Sequence, residues 1–246
     1  MKKRLLVLGL AFTMLAATAC GTSSDDGNKT SKADKTVTAT SNGDKTSETQ
    51  KKDDKKDDAK ESYKSADDIT MDDLKNHEET PAEDFKYRDK SNGEAVIKEY
   101  TGDDPIVVIP NEIDGKKVVD FGKIFTNNKD IVAVRVGDNV ENIKEGAFGN
   151  CDNLKYIILG KNVKVFEHGN VGGKKFEQLE LNDGLEQLGE EGTSGAVIIL
   201  NKDKVEVKIP ESVNHMAFTG AKTLIVKAGS YAESFAKEHN MDYRVE

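Results

Sequence analysis

The sequence has little of what several common classes of protein depend on. Its 246 residues include two cysteines, four prolines and no tryptophan, and its formal net charge is −9. Two cysteines are too few for a disulfide scaffold. No apolar run reaches the roughly 20 residues that a membrane-spanning helix needs. The acidic balance also disfavours a nucleic-acid binder that is steered by net charge.

Apolar residues are scarce as well, and they are unevenly distributed. They make up 36% of the chain, below the roughly 45–50% of average globular proteins. The first 19 residues contain 13 of them, residues 20–80 contain 10, and residues 81–246 contain 65. We therefore predict an apolar leader (1–19), a polar tether (20–79) and one folded domain (80–246). A domain of that length can bury roughly 70% of its unfolded surface, so it can fold alone.

The N-terminus has the pattern of a secretory leader. Lys2–Arg4 form a positive region, and Leu5–Ala17 form an apolar run of signal-peptide length. The run closes on Ala-Thr-Ala-Cys-Gly, which resembles the lipobox of bacterial lipoproteins. That resemblance implies cleavage before Cys20, a lipid on Cys20, and a location on the outer side of a bacterial membrane. The alternative is an ordinary secretory signal cleaved after Ala19, with Cys20 an unmodified thiol.

The tether is built from polar and charged residues. Residues 21–64 are mostly Ser, Thr, Asp, Lys, Gly and Asn, and such a composition cannot offset the entropy of ordering. We expect a disordered spacer there, with a docking tract for wall polymers or divalent cations as the alternative. Sparse apolar residues appear in 65–76, where Ser65 and Asp68 resemble a capping box, so a short helix is predicted.

The folded part is an internal repeat. Ile131–Val136 aligns with Leu154–Leu159 and Phe176–Leu181, which begin 23 and then 22 residues later. Two outer copies begin near Ile106 and Val205. The alternation I-x-I predicts a half-buried strand, and the following V-x-x-I turns back to the same interior. A unit of about 22 residues has no second layer, so about five copies stack into a parallel solenoid.

At four places the domain resembles the BspA-type leucine-rich repeats of bacteria. The matching segments are Ile109-Pro110 with Ile113–Val118, then Ile143–Leu154, Ile209–Val213 and the C-terminal Gly229–Lys237. The resemblance implies a mainly β leucine-rich-repeat solenoid with a short helical or irregular convex side and a helical cap at its C-terminal end. An apolar insert, Ala196–Leu200, departs from the pattern, and an extra strand there is left open.

A hairpin is predicted at the other end of the domain. Phe85–Asp89 and Ala95–Tyr100 flank the turn signal Ser91-Asn92-Gly93. This hairpin would cover the open edge of the first repeat.

The sequence holds few signs of catalysis. It has no H-E-x-x-H, no G-x-S-x-G, no phosphate-binding loop and no EF-hand. Its four histidines lack metal-ligand spacing. Cys151 is the one candidate nucleophile, but the family pattern places it at a turn, facing inward as a buried thiol. We predict no catalytic residue, no metal site and no cofactor.

A surface is what remains for function. The strand alternation predicts an exposed row of Val108, Arg135, Ile158, Glu180, Lys208 and Ile225, beside Ile106, Ala133, Tyr156, Gln178 and Glu206. Glu180 and Lys208 are expected to pair. Solenoids bind partners on their concave faces, so five residues form the predicted binding patch: Arg135, Tyr156, Ile158, Glu180 and Lys208. The alternatives are a plain solvated face or contact through the insert at 192–204.

The resemblance implies adhesion or host interaction. We therefore expect a cell-surface lipoprotein whose repeat domain binds an extracellular protein or glycan, with no nucleic-acid partner. A structural or accessory role in the cell envelope is the first alternative, and a hydrolase with an unrecognised site is the second.

The lipid anchor is directly testable. The protein should partition into the detergent phase in a Triton X-114 extraction, because acyl chains on Cys20 give it membrane affinity. Cys20→Ala should move it to the aqueous phase. Wild-type protein found wholly in the aqueous phase would contradict lipidation.

Overall fold

The computed structural model describes residues 65–167, 169, 171, 173, 175–189, 203–217 and 220–246. The predicted leader, Cys20, the tether up to residue 64 and the apolar insert Ala196–Leu200 lie outside these residues. Their expectations therefore stay predictions.

Short strands dominate the described residues, together with two helices. The helices are α1 (Met71–Asn76) and α2 (Tyr231–Glu238), and 3₁₀ turns lie at Ala66–Asp68 and Ala82–Asp84. The strands are β1 (Phe85–Asp89), β2 (Ala95–Tyr100), β3 (Ile106–Val108), β4 (Glu112–Ile113), β5 (Lys116–Phe121), β6 (Ala133–Arg135), β7 (Asn142–Ile143), β8 (Tyr156–Ile158), β9 (Val165–Phe166), β10 (Gln178–Glu180), β11 (Gln187–Leu188), β12 (Glu206–Lys208), β13 (His215–Met216), β14 (Thr223–Val226) and β15 (Tyr243–Val245).

Each central repeat contributes one strand to each of two parallel ladders. The first sheet has the strand order β10-β8-β6-β3, and the second has β1-β2-β5-β7-β9-β11-β13 with β4 beside β5. In the first sheet Val134 lies opposite Ile157, which lies opposite Leu179. These are the positions that the repeat alignment equates. The described residues form the predicted leucine-rich-repeat solenoid.

A row of phenylalanines connects successive repeats in the core. Phe148 lies 6.1 Å from Phe121, 5.7 Å from Phe125 and 6.1 Å from Phe166, measured between ring centroids. All four rings are fully buried or nearly so. Aromatic pairs at this spacing add to the stabilisation that area burial supplies. The row therefore joins the copies that contribute these rings.

Glycine permits close backbone stacking where the chain leaves the first sheet. A Cβ on Gly160 would lie 2.2 Å from the carbonyl oxygen of Gly137, and a Cβ on Gly137 would lie 2.6 Å from that of Ile109. Any side chain at these two positions would push neighbouring repeats apart.

Both ends of the domain are capped as predicted. Strands β1 and β2 form the antiparallel hairpin, with Gly93 at a φ of +82° in its turn. Strand β2 then pairs with β5 and extends the second sheet. At the other end, α2 begins at the N-cap Ser230 and buries Ala232, Phe235 and Ala236. Strand β15 closes the chain by pairing with β14.

Two features of the ladders differ from the prediction. The V-x-x-I positions, which were expected only to turn the chain back to the interior, form a second parallel ladder. The first sheet also ends at β10, because β12 pairs with β14 in a separate sheet of three strands. Gln178 and Glu206 are 28 positions apart, against 22 for Tyr156 and Gln178. The longer copy coincides with the break.

Phe148→Ala tests the aromatic row. Removing a fully buried ring that contacts three others should lower the free energy of unfolding by about 3–5 kcal/mol, measured by urea denaturation. Tyr231→Ala is the control, because Tyr231 is 39% exposed, and it should change the value by about 0.5 kcal/mol or less. Equal losses in the two variants would contradict the row's role.

Candidate functional site

The outer face of the first sheet, directed away from the core, carries most of the predicted binding patch. Arg135 lies between Val108 and Ile158 in the ladder, and Ile158 lies opposite Glu180. The predicted row is therefore present across four strands, but Val108 is 2% exposed, so the prediction that it is exposed is wrong. Lys208 lies opposite Ile225 in the separate sheet.

Residues 65–79, here called the N-terminal segment, lie across this outer face. Ile69 and Leu74 are fully buried, and they form one apolar cluster with Ile106, Ala133 and Tyr156. The prediction that these three sheet residues are exposed is therefore wrong. The reason is that the segment's own apolar side chains cover them.

Local hydrogen bonds shape the segment. The Thr70 side chain accepts a bond from the Asp73 amide, and the Asp73 carboxylate accepts bonds from the Thr70 amide at 2.7 Å and hydroxyl at 2.6 Å. These bonds lower the pKa of Asp73. The capping box is thus Thr70–Asp73 and not the predicted Ser65–Asp68, since Ser65 caps only the amide of Asp67. The predicted short helix begins at Met71.

A buried lysine next to the sheet bonds to the backbone of the segment. Lys155 is 7% exposed, and its Nζ donates to the carbonyl oxygen of Ile69 at 2.9 Å. The same Nζ lies 4.0 Å from Glu177 Oε1 and 5.1 Å from the centroid of the Tyr156 ring. A buried ammonium requires such partners, because desolvating an unpaired charge is costly.

Tyr156 is a hydrogen-bond donor in this cluster. Its hydroxyl donates to Glu177 Oε2 at 2.7 Å. Burial, together with this bond to a carboxylate, raises the pKa of Tyr156 to about 12. The phenol therefore keeps its proton at neutral pH.

Two further cations and one anion of the domain contact the segment. Arg135 Nη2 donates to the carbonyl oxygen of His77 at 2.5 Å. Lys175 Nζ lies 3.2 Å from Asp67 Oδ1. Glu180 Oε1 accepts from Lys75 Nζ at 2.8 Å.

The segment joins the edge of the first sheet where it ends. The amide of Thr80 donates to the carbonyl oxygen of Val108 at 3.0 Å, and the amide of Val108 donates to Thr80 Oγ1 at 2.9 Å. Thr80 and Lys155 are the two buried polar residues among those described. Thr80 directly follows the segment, and Lys155 bonds to it.

A cleft of about 470 Å³ opens between β10 and β12, beyond the part of the face that the segment covers. Its lining includes Glu180, Glu206, Lys208 and Ile225. The predicted Glu180–Lys208 pair does not form. Glu180 bonds to Lys75, and Lys208 Nζ lies 2.5 Å from Glu246 Oε1.

Within the described ranges, no group of three or more His, Cys, Asp or Glu side chains is placed to hold a metal ion. In the same ranges, neither helix has the length and apolar character needed to span a bilayer.

Cys151 is 3% exposed, and its Sγ donates to the carbonyl oxygen of Phe125 at 3.0 Å. Burial raises the pKa of Cys151 to about 11, which suits a buried thiol and not a nucleophile.

Three solved structures are similar to this chain in fold. A leucine-rich repeat protein of T. pallidum has 24% identity and a TM-score of 0.49, over 60% of this chain and 71% of that one. One from Bacteroides ovatus has 18% identity and a TM-score of 0.41, over 58% and 48%. A leucine rich cell surface protein of Faecalibacterium prausnitzii has 17% and 0.34, over 58% and 53%. This chain therefore spans about half of the latter two.

No family model and no curated protein match the sequence. The leucine-rich-repeat fold is assigned from the repeat spacing and the strand pairing described above.

The structure thus brings Arg135, Tyr156 and Ile158 together beneath the N-terminal segment, with Glu180 at its margin and Lys208 in the cleft. Sequence reasoning missed the role of Lys155 and the docking of the segment on the sheet. The available signal was the group of apolar residues Ile69, Met71 and Leu74 in an otherwise polar tract, because such residues need a surface to cover.

The thiol of Cys151 gives a chemical test of its environment. In a Cys20→Ala background, native protein at pH 8 should react with DTNB far more slowly than denatured protein. A pKa of about 11 leaves about 0.1% thiolate at that pH, against about a tenth for a thiol of pKa 9. Equal labelling rates in native and denatured protein would contradict the burial.

Proposed function

We propose that this chain is a lipid-anchored extracellular binding protein with a role in adhesion or host interaction. The leader and Cys20 would deliver and anchor it, and the polar tract would hold the repeat domain off the membrane. The domain would then present the uncovered end of its first sheet to an extracellular protein or glycan. Repeat solenoids offer extended surfaces of this kind.

The observation that carries this proposal is the charged cleft at the uncovered end of the sheet. Glu180, Glu206 and Lys208 line it with both signs of charge, and Ile225 adds an apolar surface. The side chain of Lys208 is 63% exposed. Charged and polar groups around an apolar centre are what protein and glycan ligands contact.

Lys208→Glu is expected to weaken ligand binding about tenfold, the equivalent of about 1.4 kcal/mol, because it places like charges beside Glu206. Cys20→Ala protein would be measured by surface plasmon resonance on immobilised extracellular-matrix proteins and on purified envelope polysaccharide. Binding to the first supports a host role, and binding to the second alone supports the envelope role.

Lys123→Glu is the matched control. Lys123 is as exposed as Lys208, at 65% of its side chain, but it follows β5 in the second sheet. It should bind like wild type. Equal losses in the two variants, or binding to neither surface, would contradict the proposal.

A further inference from the structure

We infer that the outer face of the first sheet is a peptide-binding groove, that the N-terminal segment occupies it in cis, and that its partner in trans is an acidic peptide with two apolar anchors. The inference rests on the proposed function and deepens it, because it names the class of ligand that this face takes.

The apolar contacts of the groove are complementary to a short amphipathic peptide. Ile69 and Leu74 are fully buried against side chains of β3, β6 and β8. Peptides are often recognised in this way, with apolar side chains of one short segment inserted into a groove of another element. Without the segment, Ile106 and Ala133 would form an exposed apolar patch, which in soluble proteins marks an interaction site.

The charges of the segment and the groove are complementary. Residues 65–79 contain one lysine and six acidic residues, namely Asp67, Asp68, Asp72, Asp73, Glu78 and Glu79. The groove contributes three cations that contact the segment: Arg135, Lys155 and Lys175. An acidic partner therefore meets these three cations, while Glu180 at the margin pairs with the segment's one lysine, Lys75.

One of these cations is incompletely satisfied by the segment. Arg135 donates Nη2 to a backbone carbonyl, while its buried Nε has no hydrogen-bond partner among the described residues. A guanidinium binds most strongly to a carboxylate, which accepts two parallel bonds. A peptide with a carboxylate at the position of the His77 carbonyl would make a bond that the segment does not make.

The segment is also suited to dissociate from the groove. Helix α1 has six residues, and isolated helices that short are unstable in water. Its order therefore depends on its contacts with the groove. A linked segment competes at an effective concentration of about millimolar, so an external peptide binds wild-type protein weakly. If the groove is open 1% of the time, the apparent affinity falls about a hundredfold.

Opening the groove tests this directly. The full chain with Cys20→Ala would carry Ile69→Asp and Leu74→Asp, which remove both anchors from the segment. The probe is a fluorescein-labelled synthetic peptide with the sequence of residues 65–79, and its binding is followed by fluorescence anisotropy. We expect the opened variant to bind at least tenfold more tightly than wild type. The same peptide with Asp at both anchor positions should not bind.

The groove itself is tested in the opened variant. Adding Lys155→Glu should weaken peptide binding at least tenfold, because it removes the buried donor to the peptide backbone. Adding Lys161→Glu should leave it unchanged, since Lys161 is 72% exposed and bonds to Asp138 in a turn. Equal binding to wild-type and opened protein, or no effect of Lys155→Glu, would overturn the inference.

A milder variant covers the case in which the opened chain misfolds. Thr70→Ala removes the capping box and leaves the groove intact, so peptide affinity should fall between wild type and the opened variant. Circular dichroism would confirm the fold of each protein. No binding to any folded variant would overturn the inference.

These results are separable from those on the proposed function, because the peptide assay needs no natural ligand. Ligand binding that is lost in Lys208→Glu but unchanged in the opened variant would support the proposed function and overturn the peptide groove.

Discussion

The structure depends on one constraint: a copy of about 22 residues cannot bury its own apolar face. Each copy therefore uses its neighbours as the second layer of its core. The two parallel ladders, the phenylalanine row around Phe148 and the close stacking of Gly160 on Gly137 all follow from that requirement. Every copy must keep its inward side chains in one register, while the outward side chains of the same strands remain available for other contacts.

The outer face follows the same rule, but there the N-terminal segment, and not a neighbouring repeat, covers the apolar side chains. Val134 and Ile157 point inward and belong to the core, whereas Arg135 and Tyr156 point outward and contact the N-terminal segment. Because side chains alternate between the two faces of a strand, the inward residues stabilise the core and the outward residues contact the segment. The buried ammonium of Lys155 joins the two, because it lies beside the sheet and bonds to the segment's backbone.

The parts of the fold that were predicted correctly have strong local signals. The I-x-I strands have a period of two, and the hairpin around Gly93 and the helix after Ser230 have turn and capping residues. The second ladder was missed because β7, β9, β11 and β13 have two residues each, too few to show alternation. The docking of Ile69 and Leu74 was missed because composition describes a segment's own tendency to order. It does not describe a surface assembled more than 30 residues further along the chain.

The N-terminal segment has a consequence for how the domain unfolds. In an ideal solenoid each repeat is coupled only to the next one, so single repeats can open by themselves. The segment instead contacts Ile106, Arg135, Lys155 and Glu180, which belong to four successive copies. When one of these copies opens, it must break its contact with the segment, and the other three copies contact the same segment. The segment therefore acts as a cooperative clamp, and its release would turn one unfolding unit into several.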